Sequence, residues 1–162
     1  MNKKLTTILV VLLGFTLITC EKDDICTDDT TPNLIIEFYK HGATTPTLKP
    51  VTKLKINVTN FSDLAFDGVS KISIPLKTSA NETTFNFILN GSDTDASDDN
   101  LDVLKFSYTR EDVFVSGACG YKTIYKNTDK NLTTDINNWI KAITIIQPTI
   151  ENEDETHVKI YF

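Results

Sequence analysis

The sequence predicts an all-β protein: one antiparallel two-sheet β-sandwich of immunoglobulin-like form over residues 34–162. Three observations predict it. About eight short segments alternate apolar with polar residues or are rich in β-branched and aromatic side chains. Gly, Pro, Asn and Asp collect between them, where the chain must turn. Helical spacing is confined to one stretch near the C-terminal end, which leaves sheet-on-sheet packing as the way to bury the apolar faces.

The segments follow in order. Residues 34–40 (LIIEFYK) form the first. Residues 53–59 (KLKINVT) put Leu54, Ile56 and Val58 on one face, since successive strand side chains point to opposite sides. Residues 71–76 (KISIPL) are short, and Pro75, lacking a backbone donor, marks an edge or an end. Residues 83–89 (TTFNFIL) align Phe85, Phe87 and Leu89, and residues 101–110 align Leu104, Phe106 and Tyr108. Residues 112–116 and 120–126 form a further pair broken near Gly117. Residues 139–150 are long and apolar. Ile136, Trp139, Ile140 and Ile143 admit a short helix at the start, whereas Ile145, Ile146 and Pro148 favour strand beyond it. The charged run 151–155 (ENEDE) is a turn, and residues 157–162 (HVKIYF) close the chain. The terminal Phe162 resembles the assembly signal of outer-membrane barrels. Such barrels, however, need strands of about 9–11 residues with a lipid-facing side, and most segments here are shorter.

The N-terminus has a different character. Lys3 and Lys4 precede residues 5–18, which carry no charge. That apolar length suits a signal peptide, whereas a spanning helix needs about 20 residues. Leu17, Ile18, Thr19 and Cys20 resemble the lipobox of bacterial lipoproteins, in which the cysteine is acylated and the chain is cleaved before it. Thr19 departs from the usual Gly, Ala or Ser at that position but is also small. Glu21, Lys22, Asp23 and Asp24 resemble the signal that sends some lipoproteins of Bacteroidota to the outer face of the outer membrane. The expected organisation is a signal peptide (1–19), a lipidated acidic tether (20–33) and the sandwich (34–162).

Charge and cysteines narrow the function classes. Loss of residues 1–19 removes Lys3 and Lys4, so the basic count falls from 16 to 14 against 22 acids, a net charge of −8. This excludes nucleic acid as a partner, because phosphates demand a basic footprint. It also leaves membrane attachment to the acyl chains, each buried methylene of which contributes about 0.8 kcal/mol. Of three cysteines, acylated Cys20 leaves Cys26 and Cys119, an even pair in a compartment that permits disulfides. Two free thiols are the alternative. A metal pair would have only His41 and His157 to assist it.

Chemistry-bearing motifs are sparse. In residues 90–100 (NGSDTDASDDN), Asp93, Asp95 and Asp98 offer oxygen ligands at spacing like a calcium loop. Asp98 stands where such a loop has its glycine, and Leu104 where it has its bidentate acid, so a solvated connection is the favoured reading. The sequence contains no GxSxG, HExxH, CxxC or GxxxxGK[ST] pattern. Arg110, Glu111 and Asp112 read as a charged surface turn. In residues 114–125 (FVSGACGYKTIY), Gly117 and Gly120 flank Cys119 and allow close backbone approach, which suits a bond to Cys26. A reactive thiol would need a basic neighbour, and Lys122 is the nearby candidate. Asp29, Thr30 and Thr31 resemble an O-glycosylation motif of Bacteroidota, which makes Thr30 a candidate modification site.

CEKDDIC, TPNLIIEFY, FVSGACGYKTIY and THVKIYF together resemble an uncharacterised lipoprotein family of Bacteroidota, a domain of unknown function. The resemblance implies an envelope lipoprotein with no assigned activity. The expected protein is a non-enzymatic binding or interaction module at the outer membrane. It needs no cofactor, meets the bilayer through acylated Cys20, and engages an envelope protein or a glycan. The competing expectations are a carboxylate-dependent glycan-active enzyme, with two acids flanking a cleft, and a calcium-stabilised adhesin.

Overall fold

The structure is a computed structural model and describes residues 25–27, 30–58 and 61–162. The signal-peptide segment, Cys20 and the acidic residues just after it lie outside the described residues, as does Asp29.

Among the described residues the chain is all-β, with nine strands: β1 (Leu34–Tyr39), β2 (Leu54–Asn57), β3 (Leu64–Phe66), β4 (Lys71–Ile74), β5 (Glu82–Leu89), β6 (Asn100–Ser116), β7 (Gly120–Leu132), β8 (Ala142–Ile145) and β9 (Val158–Tyr161). They form two sheets. One has four strands in the order β4-β1-β9-β8, the other five in the order β3-β2-β5-β6-β7. No helix forms near Trp139. Only Ala142–Ile145 of the long apolar segment is strand, because Trp139 and Ile140 are buried from a loop and Pro148 lies beyond.

Two expectations about topology are corrected. Pairing is antiparallel except between β1 and β9, which run parallel with Ile36 opposite Val158 and Phe38 opposite Ile160. A parallel neighbour needs a long crossover, and here nearly the whole domain supplies it. The strand order also departs from the immunoglobulin pattern, because β5, β6 and β7 are successive neighbours in one sheet. The physical cause is β6 and β7 themselves. The two segments expected as 101–110 and 112–116 are one continuous strand, so the chain stays in the same sheet through both hairpins. Glu111 and Asp112 therefore sit within β6 and not in a turn.

The alternation read from the sequence becomes the core. On β5 the buried residues are Thr83, Phe85 and Phe87, and on β6 they are Asp102, Leu104, Phe106 and Tyr108. The register sets Phe85 opposite Leu104 and Phe87 opposite Asp102. Residues of both sheets share one hydrophobic cluster, from Ile36, Phe38 and Ile160 in the smaller sheet to Ile56, Phe85 and Phe106 in the larger. Burying each such side chain contributes about 1.5–3 kcal/mol. Trp139 links the layers: its ring meets Phe162 edge-to-face at 5.4 Å, and its indole N–H donates to the carbonyl of Phe87 at 3.2 Å. At the opposite end of β5, Thr83 Oγ1 accepts the N–H of Lys77 at 2.9 Å and lies 2.6 Å from the Tyr108 hydroxyl, which donates to the Lys77 carbonyl.

Candidate interaction surface at the stapled hairpin

β6 and β7 outrun the rest of their sheet. Pairing of β6 with β5 ends at Ser107, and from Thr109 to Ser116 β7 is its ladder partner. The register shifts at this point. Ser107 faces Asp129 and Thr109 faces Lys126, so Tyr108 opposes both Asn127 and Thr128. Asn127 takes a left-handed conformation (φ 54°), which asparagine tolerates better than most residues. A bulge of this kind sharpens local twist and re-aims the strands beyond it.

The arm ends in a turn of Gly117, Ala118 and Cys119, with Gly120 at φ 70°. The Cys119 N–H donates to Ser116 Oγ at 3.2 Å. Cys119 is disulfide-bonded to Cys26, with Cα atoms 4.7 Å apart. The segment before β1, the expected tether, thus meets the hairpin tip at Cys26 and meets the domain again at Thr31. Along the way, Thr31 Oγ1 accepts the N–H of Thr123 at 2.9 Å, and Thr123 Oγ1 donates to Asp112 Oδ1 at 2.7 Å. Asn33 donates its backbone and side-chain N–H groups to Glu153 Oε1, both at 2.9 Å. Lys122 Nζ donates to the Glu151 carbonyl at 3.1 Å. The tether is thereby fastened to a strand of the five-stranded sheet and to the 151–155 turn before it enters the four-stranded sheet.

The tip presents an uncharged surface with exposed aromatic rings. Residues 113–121 carry no charge, whereas Asp112 and Lys122 bound them. Phe114 and Tyr121 face each other across the ladder, with rings edge-to-face at 5.4 Å, and remain 59% and 71% exposed. Ile25, beside Cys26, is 76% exposed. A shallow cavity of about 250 Å³ lies between tether and hairpin, lined by Cys26, Thr30, Thr31, Val115, Cys119, Tyr121 and Lys122.

The other candidate residues fall elsewhere. Thr30 is exposed on the tether. The Asp-rich loop joins β5 to β6, and its carboxylates are engaged by loop residues and by Lys53. Asp93 pairs with Lys53 at 2.8 Å, which holds its carboxyl below the usual range. Asp95 accepts the Oγ–H and N–H of Ser97, which lowers it likewise. Asp98 Oδ2 accepts from Asn90 Nδ2 at 3.0 Å. The carboxylates that approach one another, within 4.8 Å, are those of Asp93, Asp98 and Asp99. Of the trio considered in the sequence, Asp93 and Asp98 approach each other, with Asp99 beside them, while Asp95 turns back to Ser97. His41 is exposed, while His157 is buried at the entry to β9. Glu111 pairs with Lys126 across the ladder.

Sequence reasoning identified Cys119 and its glycines but missed Phe114 and Tyr121 as a pair. The signal was present: a run without charge, folded symmetrically about the turn, sets the two rings opposite each other.

A family model described as a family of unknown function (DUF6452) matches residues 53–162. The chain belongs to this family. No curated protein and no solved structure matches the chain. In this DUF6452 protein the matched stretch runs from the start of β2 through β9. It includes Cys119 and the exposed aromatic pair, while Cys26 and β1 precede it.

Proposed function

We propose that this DUF6452 protein is a lipid-anchored module of the bacterial cell envelope. In this reading it is a two-sheet sandwich held at the outer membrane through acylated Cys20, with a non-enzymatic binding role toward an envelope protein or glycan. The observation that carries the reading is the division of the cysteines. The sequence has three, and Cys26 and Cys119 are bonded to each other. The remaining one, Cys20, stands at the end of the uncharged segment that follows Lys3 and Lys4. A disulfide is at home outside the reducing cytoplasm, where lipoprotein processing also occurs. A binding role is supported by the carboxylates that sequence reasoning considered for catalysis: Glu111 and Asp112 are held by Lys126 and Thr123.

The test is metabolic labelling with palmitate, together with the intact mass of the mature chain. Label on the wild type, its loss in Cys20→Ala, and a mass two hydrogens below the reduced form support the reading. An unlabelled, uncleaved product in wild-type cells refutes it.

A further inference from the structure

The hairpin tip and the proposed anchor are close along the covalent structure. Five residues lie between Cys20 and Cys26, and Cys26 is bonded to Cys119 at the tip. The six residue steps from Cys20 to Cys26, fully extended, span at most about 22 Å, less than the roughly 30 Å hydrocarbon core of a bilayer. Whatever holds Cys20 therefore holds this tip within that distance. Three of the eight large exposed hydrophobic side chains among the described residues lie here: Ile25, Phe114 and Tyr121.

We infer that the β6–β7 tip is a lipid-contact element, with Phe114, Tyr121 and Ile25 seated in the interfacial layer of the membrane that holds Cys20. The inference rests on the lipid anchor proposed above and states which face the anchored domain turns to the lipid. Tyrosine suits this layer because its ring is apolar and its hydroxyl stays wet. Charge points the same way. The mature chain carries −8, so an anionic surface repels the domain as a whole, yet residues 113–121 bring no acid to that surface. The bounding charges are already engaged, Asp112 by Thr123 and Lys122 by the Glu151 carbonyl. Glu21, Lys22, Asp23 and Asp24 stand between the acyl group and Ile25 and favour the headgroup layer, so the contact is interfacial and does not reach the bilayer centre. The hydrogen bonds of Thr31 and Asn33 hold the segment after Cys26 to the domain, so the free length of chain between the tip and the anchor is confined to residues 21–25.

The experiment uses full-length lipidated protein in vesicles of phosphatidylethanolamine and phosphatidylglycerol carrying bromine-labelled acyl chains. Wild type contains one tryptophan, Trp139, buried in the core, which supplies the baseline. Phe114→Trp and, on the facing strand, Tyr121→Trp each place a reporter at an exposed position. Quenching at least twofold above the wild-type baseline in both variants is expected. Two results overturn the inference: quenching no greater than wild type in labelled, vesicle-bound protein, or shielding of the reporters that arises only when envelope proteins are added. Palmitate labelling of the same preparations separates the two readings. Unlabelled protein removes the anchor and the contact together, whereas labelled protein with unquenched reporters removes the contact alone.

Discussion

His157 and Ile35 exchange hydrogen bonds through both backbone and side chain. The Ile35 N–H donates to His157 Nδ1 at 2.9 Å, and the His157 N–H donates to the Ile35 carbonyl at 3.1 Å. The contact sits where β1 and β9 begin their parallel pairing. It requires an unprotonated Nδ1, because a protonated one has no lone pair to offer. Burial pushes the His157 pKa below its ordinary 6.5, against opposing effects of the Asn152 backbone and of Glu153 and Glu155.

The pH dependence follows from that shift. Above pH 6.5 both folded and unfolded chains hold the imidazole neutral, and the stabilisation is complete. As pH falls, the unfolded chain takes up the proton first, and stability is lost until the depressed folded value is passed. The melting temperature of the wild type should fall between about pH 6.5 and pH 5, before most carboxylates titrate. His157→Gln should be less stable at neutral pH, by about 1–3 kcal/mol for leaving the buried Ile35 N–H without its acceptor, and flat across the same window. A wild-type profile as flat as the variant's would rule the mechanism out.

The Cys26–Cys119 bond closes a sequence separation of 93 residues. In the chain-entropy model such a closure stabilises by up to about 4–5 kcal/mol. Urea unfolding with and without reductant should show the oxidised midpoint well above the reduced one. The Cys26→Ser/Cys119→Ser double variant should match the reduced wild type and be indifferent to reductant. Coincident midpoints in all three samples would mean the bond constrains nothing that matters to unfolding.

Asp102 is fully buried on β6, and burial raises its pKa. Its carboxylate accepts the Ile140 N–H at 2.7 Å and Asn138 Nδ2 at 2.9 Å, one residue to either side of Trp139. Asp102→Ala should cost about 2–4 kcal/mol by stranding those donors, and should shift the emission of the lone tryptophan to longer wavelength as its loop loosens. Asp102→Asn keeps one acceptor oxygen and should fall between alanine and wild type. An alanine variant within about 0.5 kcal/mol of wild type, the range of ordinary surface substitutions, would refute the clamp.

Calcium should leave this protein indifferent. Lys53 already neutralises Asp93, Asn90 holds Asp98, and Asp95 closes on Ser97. Melting curves with chelator and with added calcium should superimpose. A melting temperature that rises with calcium, as ligand linkage demands of a bound state, would reinstate the calcium-stabilised reading.

The alternation of Leu54 with Ile56, and of Phe85 with Phe87, made β2 and β5 legible in the sequence, since a half-buried strand writes its inner face into every second residue. The disulfide was legible through parity: with Cys20 set aside as the candidate lipidation site, two cysteines are left. Three features were not. β3 is only Leu64–Phe66, too short for a period to emerge. Trp139 and Ile140 are buried from a loop by the Asp102 clamp, and their spacing in an apolar run instead admits a short helix leading into a strand. The parallel β1–β9 neighbours were hidden because pairing between distant segments leaves no local pattern. Of the candidate surface, Cys119 stood out by its glycines. The exposure of Phe114 and Tyr121 followed only once the arm was seen to extend past β5.

The place of β9 between β1 and β8 has a consequence for the order of assembly. Ile35 and His157, which meet at the start of the parallel pair, are 122 residues apart. A nascent chain emerging N-terminus first exposes Ile35, Ile36 and Phe38 with half their neighbours not yet synthesised. The smaller sheet therefore closes only once β9 has been made and can enter between β1 and β8, and such distant closures are slow. A polypeptide built this way stays threadable until Val158–Tyr161 arrive, and it is vulnerable to aggregation for as long as that takes.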